Sequence, residues 1–156
     1  MNQIDFRTAL EYIRPYVVQI STPSGTGTGF LFAQSQDHTM VGIATAAHVV
    51  RYAHLWEQPI KIQHHESGKI QMLRVPDRAI LLEHDIDTAA IVFKPGDIPF
   101  PESEPKLSPK GKYLKVAFEI GWVGFPALSP SDLASSRAGL APGSTRNGRT
   151  LWTVWL

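Results

Sequence analysis

The chain begins on a helical spacing and then changes period. Ile4, Phe6, Ala9, Leu10 and Ile13 recur at mostly helical intervals, and Pro15 stops them. This predicts a short N-terminal helix. From Val17 onward the apolar residues are β-branched and come in short runs. Val17, Val18 and Ile20 lead into Ser-Thr-Pro-Ser-Gly, a strand followed by a turn. Phe30 to Phe32 predicts a second strand, entered through Gly25, Gly27 and Gly29, and Val41 to Thr45 a third. Ile60 to Gln63, Ile70 to Val75, Ala79 to Leu82 and Ala89 to Phe93 predict four more. Strands recurring at roughly 8–12 residues suit a sandwich or a barrel.

Beyond Phe93 the pattern loosens. Residues Lys94 to Lys112 hold five prolines and several charges, a long exposed connection and a boundary between subdomains. Tyr113 to Ile120 alternates again and predicts a strand ending in Gly121-Trp-Val-Gly-Phe-Pro126. From Ala127 serine, glycine and proline dominate and the alternation dissolves, until Leu151 to Leu156 closes the chain on an apolar, strand-like note.

Composition narrows the function classes. The 156 residues suit one ordinary domain, and 43% of them are hydrophobic, enough for a core. Fifteen basic residues against fourteen acidic ones leave a net charge of +1. This balance gives no footprint for nucleic acid and no polybasic membrane patch. The absence of cysteine excludes disulfides, thiolate zinc sites and a cysteine nucleophile. No basic region followed by an apolar stretch opens the chain, and no apolar run is long enough to span a bilayer. A soluble, cytoplasmic domain without a cofactor is the expectation.

Four segments carry candidate chemistry: Ser24 to Phe32, Ala44 to Val49, Asp87 to Ile91, and Gly121 to Pro126. The glycine stretch is not a phosphate loop, because Phe30 rather than Lys follows its last glycine, and its G-x-G-x-G spacing fails the dinucleotide fingerprint. It reads either as a hairpin turn or as close backbone packing at a strand entry. His48 follows small residues that let the backbone turn sharply at a cleft, although a lone His is as readily structural. Asp87 opens an alternating strand whose Ala89, Ile91 and Phe93 share its face. Taken in order, His48 and Asp87 suggest a base and its orienter, two thirds of a Ser-His-Asp triad. His64-His65-Glu66 and Glu83 to Asp87 lack metal-ligand spacing and read as solvated loops.

At these residues the chain resembles the trypsin-like serine peptidases, nearest to their cysteine-free bacterial form. Thr28-Gly29-Phe30 is similar to the family's strand ahead of the histidine. Thr45-Ala46-Ala47-His48-Val49 closely resembles its T-A-A-H-V/C box, Asp87 to Ile91 its D-[IL]-A-[LV]-[LI] box, and Gly124-Phe125-Pro126 its G-x-P turn. The resemblance implies an all-β, chymotrypsin-like double β-barrel with a complete first barrel, a partial second one and a short N-terminal helix. Residues 1–16 would form the helix, 17–100 the first barrel, 101–126 the linker and the start of the second barrel, and 127–156 an irregular tail. It implies His48 as general base, Asp87 as its orienter, and a protein or peptide substrate. Asp85 is the rival for the second role, and Thr88 departs from the family box.

The family's G-x-S-G-G nucleophile loop is missing from these residues. Among Ser129, Ser131, Ser135, Ser136 and Ser144, only Ser144 follows a glycine, and Thr145-Arg146 follows it in place of two glycines. A back-shifted reading frame over Ala134 to Gly143 could encode an alternating barrel strand. The expectation is a chain truncated or frame-shifted before its nucleophile and inactive as it stands. A non-catalytic peptide-binding module on a degenerate peptidase fold and an inactive gene fragment are the alternatives.

Overall fold

The computed structural model describes residues 6–103, 105, 119–125 and 134–139. The part of the expected strand from Tyr113 to Phe118, the candidate nucleophile Ser144, and Leu151 to Leu156 with Trp152 and Trp155 lie outside the described residues.

Helix α1 (Phe6–Ile13) runs into a 3-10 turn at Arg14–Tyr16, where Pro15 has no N–H to continue an α-helix. Strands β1 (Val17–Thr22), β2 (Gly25–Gln34) and β3 (Val41–Ala46) follow as an antiparallel meander. Helix α2 (Ala47–Leu55) leaves β3 with no intervening loop. Then come β4 (Ile60–His64), β5 (Ile70–Leu73), β6 (Arg78–Glu83) and β7 (Thr88–Phe93). These seven strands form one sheet in the order β5-β4-β1-β2-β3-β7-β6. Strands β8 (Glu119–Gly124) and β9 (Ala134–Gly139) pair separately.

The sheet is curled, and chain length alone requires it. A flat sheet of this order would hold β5 and β6 about 29 Å apart, six strand spacings of about 4.8 Å. Yet Leu73 ends β5 and Arg78 begins β6, and the five residues from one to the other reach at most about 18 Å. The sheet therefore bends round until its two edges nearly meet, a half-barrel joined by the 3-10 turn Val75–Asp77. Arg78 reinforces the corner by donating from Nη1 to Leu73 O at 2.7 Å.

Alternation along the strands fills the interior. Buried and part-buried positions alternate through β4 and β7, and Ile20, Leu31, Ile43, Ile60, Ile62, Leu73, Ile91 and Phe93 are fully buried around one core. Burying a side chain of this size contributes about 1.5–3 kcal/mol. The architecture is mostly β with a short N-terminal helix, a partial chymotrypsin-like barrel.

Val49 and Val50 belong to α2, whose Ala47, Val50 and Ala53 are buried at helical intervals. One local expectation is corrected. His64 is not in a solvated loop: it is 2% exposed at the end of β4. Its Nε2 donates to Pro15 O at 2.7 Å, and its Nδ1 accepts from Ser67 N at 3.1 Å. Both ring nitrogens thus serve the structure. Strand β9 lies within residues 127–156. Strand pairing is carried by backbone N–H and C=O groups, so Ala-Ser-Ser-Arg-Ala-Gly can pair wherever β8 offers an edge.

Candidate active site

The site begins with the glycines of β2. They are neither turn nor loop, since β2 runs from Gly25 through all three. A Cβ on Gly27 would stand 2.5 Å from Val49 Cγ2, and one on Gly29 would stand 2.6 Å from Ile43 Cγ2. Close backbone packing, the second of the two readings of this stretch, describes Gly27 and Gly29, whereas Gly25 pairs with Thr22 beside the β1–β2 turn, with φ at 151° and open space where a Cβ would stand. Gly27 lets α2 settle directly against the sheet, and α2 is the element that carries His48.

The residues before His48 fix how the chain turns. Thr45 is buried, pairs with Gly29, and donates its Oγ1 to Thr28 O at 2.7 Å, tying the end of β3 to β2. Ala47 is 2% exposed, so only a small side chain fits at the start of the helix. Helix α2 receives no capping bond from the side chain of its own N-cap residue, Ala46. Orphan N–H groups at a helix start need an acceptor, and Asp87 supplies it from 39 residues away. Its carbonyl accepts from Ala47 N at 3.0 Å and its Oδ1 from His48 N at 2.9 Å.

The second carboxylate oxygen meets the ring. His48 Nδ1 lies 2.7 Å from Asp87 Oδ2, the only ion-pair contact among the described residues. An ionised carboxylate only accepts, so Nδ1 carries the hydrogen, and in the neutral form of the ring the lone pair is on Nε2. Among the described residues nothing hydrogen-bonds Nε2. The hydrogen bonds from the His48 ring and backbone hold the Asp87 carboxyl below the usual carboxylate range; burial opposes them, and the charges of a protonated His48 and of Arg51 add to the lowering.

Asp87 reaches this position because it does not belong to the strand. It closes the turn between β6 and β7 with φ at 51°, in the left-handed region where Asp is tolerated better than most residues. Its N–H donates to His84 O at 3.3 Å. Strand alternation placed Asp85 and Asp87 on one face, but the turn separates them. Asp87 engages His48, and Asp85 is exposed.

A last contact joins the second sheet to this region. Phe125 N donates to Thr28 Oγ1 at 2.7 Å, and Gly124 packs against the same hydroxyl. The Phe125 ring meets His65 edge-on at 5.8 Å. Thr28 thus holds β3 through its carbonyl and the end of β8 through its hydroxyl. Sequence reasoning matched Thr28 to a motif but assigned it no such task. Ser135 and Ser136 lie in β9, paired with Val123 and Trp122. Among the described residues no group of three or more His, Asp or Glu is placed to hold a metal ion, and no helix is long and apolar enough to cross a membrane.

No protein-family model matches the chain, and no curated protein matches it. In three dimensions it is similar to the crystal structure of Rv3671c from M. tuberculosis H37Rv, a serine-to-alanine mutant in an inactive form. The TM-score is 0.55 and the identity 17%, over 83% of this chain and 52% of that one. The chain therefore spans about half the length of the structure it resembles. At this identity the likeness establishes the fold alone, a mostly β, curled half-barrel consistent with a partial chymotrypsin-like barrel.

Proposed function

We propose that the chain is the His–Asp portion of a trypsin-like serine endopeptidase domain, with His48 as general base and Asp87 as its orienter. The observation that carries this reading is the double engagement of Asp87 with the ring and the backbone of His48 at 2.7 and 2.9 Å. In this role His48 Nε2 takes the proton of a serine hydroxyl as that oxygen attacks a peptide carbonyl. Asp87 holds the productive tautomer and stabilises the imidazolium that forms. The same proton then passes to the leaving amine. The likeness in fold supports a peptide or protein substrate.

The nucleophile is proposed to be encoded in a frame shifted from about codon 134. A fluorophosphonate probe, which labels activated serines, tests both parts on this chain and on its frame-corrected counterpart. Labelling of the corrected protein that is lost in His48→Ala is expected. No labelling of either protein would overturn the peptidase reading.

The absence of G-x-S-G-G from the sequence favours a second reading, a peptide-binding module on the same fold. Saturable peptide binding by this chain, together with a cooperative melt and no serine labelling, would favour it.

A further inference from the structure

Helix α2 has an exposed face that the proposed chemistry does not use. Ala47, Val50 and Ala53 point into the core, which turns His48, Arg51, Tyr52 and Leu55 outward at positions i, i+3, i+4 and i+7. Tyr52, Leu55 and Trp56 are 38%, 68% and 59% exposed, a run of apolar surface beginning one turn from the imidazole. The rings of Tyr52 and Trp56 stack with centroids 5.0 Å apart.

Arg51 is held in place on this surface. Its guanidinium lies 4.7 Å from the centre of the Tyr52 ring, and Nη2 donates to Tyr52 Oη at 3.1 Å. Yet no carboxylate among the described residues forms an ion pair with it. A guanidinium presents five donors in a fixed fork suited to a carboxylate, and among the described residues only its Nη2 has a hydrogen-bond acceptor. Arg51 sits about 4.5 Å along the helix axis from His48, close enough for its charge to act on Asp87. An extended peptide advances about 3.3 Å per residue, so a side chain one or two residues from a bond held at His48 would fall at Arg51.

We propose that Arg51, braced by Tyr52 and Trp56, is a specificity subsite for an acidic side chain of a peptide substrate. The positive fork of Arg51 receives the carboxylate, and the stacked rings cover the apolar part of the peptide beside it. This assignment rests on the peptidase reading for the identity of the ligand, but its test does not depend on catalysis.

The test is an NMR titration of this chain with Ac-Ala-Glu-Ala-Ala-NH2 and with the counterpart in which Gln replaces Glu. Shifts are expected in residues 48–56, including the Arg51 side chain, with the Glu peptide binding about tenfold tighter, as one hydrogen-bonded charge contact implies. Arg51→Gln should abolish the difference, and Arg51→Lys should retain part of it. The preference is read from binding alone, so the subsite can stand even if serine labelling fails. Equal binding of the two peptides, shifts centred away from α2, or a Glu preference that survives in Arg51→Gln would overturn it.

Discussion

The N–H of Phe125 donates to Thr28 Oγ1 over 2.7 Å, joining residues 97 positions apart in the chain. This bond ties the end of β8 to the β2 strand that also supports Thr45. Thr28→Val keeps the shape and removes the acceptor. The Phe125 amide should then exchange with solvent far faster, and stability should fall by about 1 kcal/mol, the net worth of one hydrogen bond. Amide exchange followed by NMR reads both. An unchanged Phe125 rate would show that the bond does not hold the second sheet.

Replacing Asp87 with Ala should act on the ring and on the helix together. The His48 ring should lose its fixed Nδ1–H tautomer, visible in its 15N shifts, and the melting temperature should fall at neutral pH because His48 N loses its Oδ1 acceptor at the helix start, while the backbone carbonyl that accepts from Ala47 N remains. The pH dependence has a definite sign. The Asp87 carboxyl titrates below its ordinary range in the folded chain, so its stabilisation is present above the unfolded value near 3.9. It is lost as pH falls through the depressed folded value. Melting curves of the two proteins should therefore converge in acid and separate at neutrality. A gap that stays constant across this range would contradict the linkage.

Gly27→Ala should be destabilising by about 1–3 kcal/mol, because the added methyl meets Val49 in a packed contact. The partner substitution Val49→Ala opens that space. The double variant should recover part of the loss, giving a favourable coupling in a urea-denaturation cycle. Purely additive losses would mean that the two residues do not press on each other.

Arg78→Ala removes the guanidinium that donates to Leu73 O, Ala53 O and Gln58 O. A loss of about 2–3 kcal/mol is expected from carbonyls deprived of a charged donor. Arg78→Lys should restore only a minor part, since a point charge cannot span three acceptors. Chemical denaturation gives both values, and full rescue by Lys would argue against the fork geometry.

Much of the sheet was legible because its strands alternate. Ile60, Ile62 and His64 are buried and Lys61 and Gln63 are half-buried, and β7 shows the same period. What escaped was set by contacts distant in sequence. Helix α2 lacks a side-chain cap of its own, so no N-terminal signal marks it; its cap arrives from Asp87. The burial of His64 depends on Pro15, 49 residues away. The order of the two boxes already suggested that His48 and Asp87 meet, as their 2.7 Å contact has it, but the separation of Asp87 from Asp85 was not legible, because alternation assumes a strand where the chain makes a turn with a positive φ.

Arg78 and Asp87 bracket β6, and each also grips one end of α2. Arg78 holds Ala53 O and Gln58 O at the helix's C-terminal end, and Asp87 holds Ala47 N and His48 N at its start. Strand β6 thus works as a ruler laid alongside the helix, with a stop at each end. The imidazole is gauged from two marks a fixed number of residues apart, so adding or deleting a residue in β6 would displace it without altering a single side chain of the site.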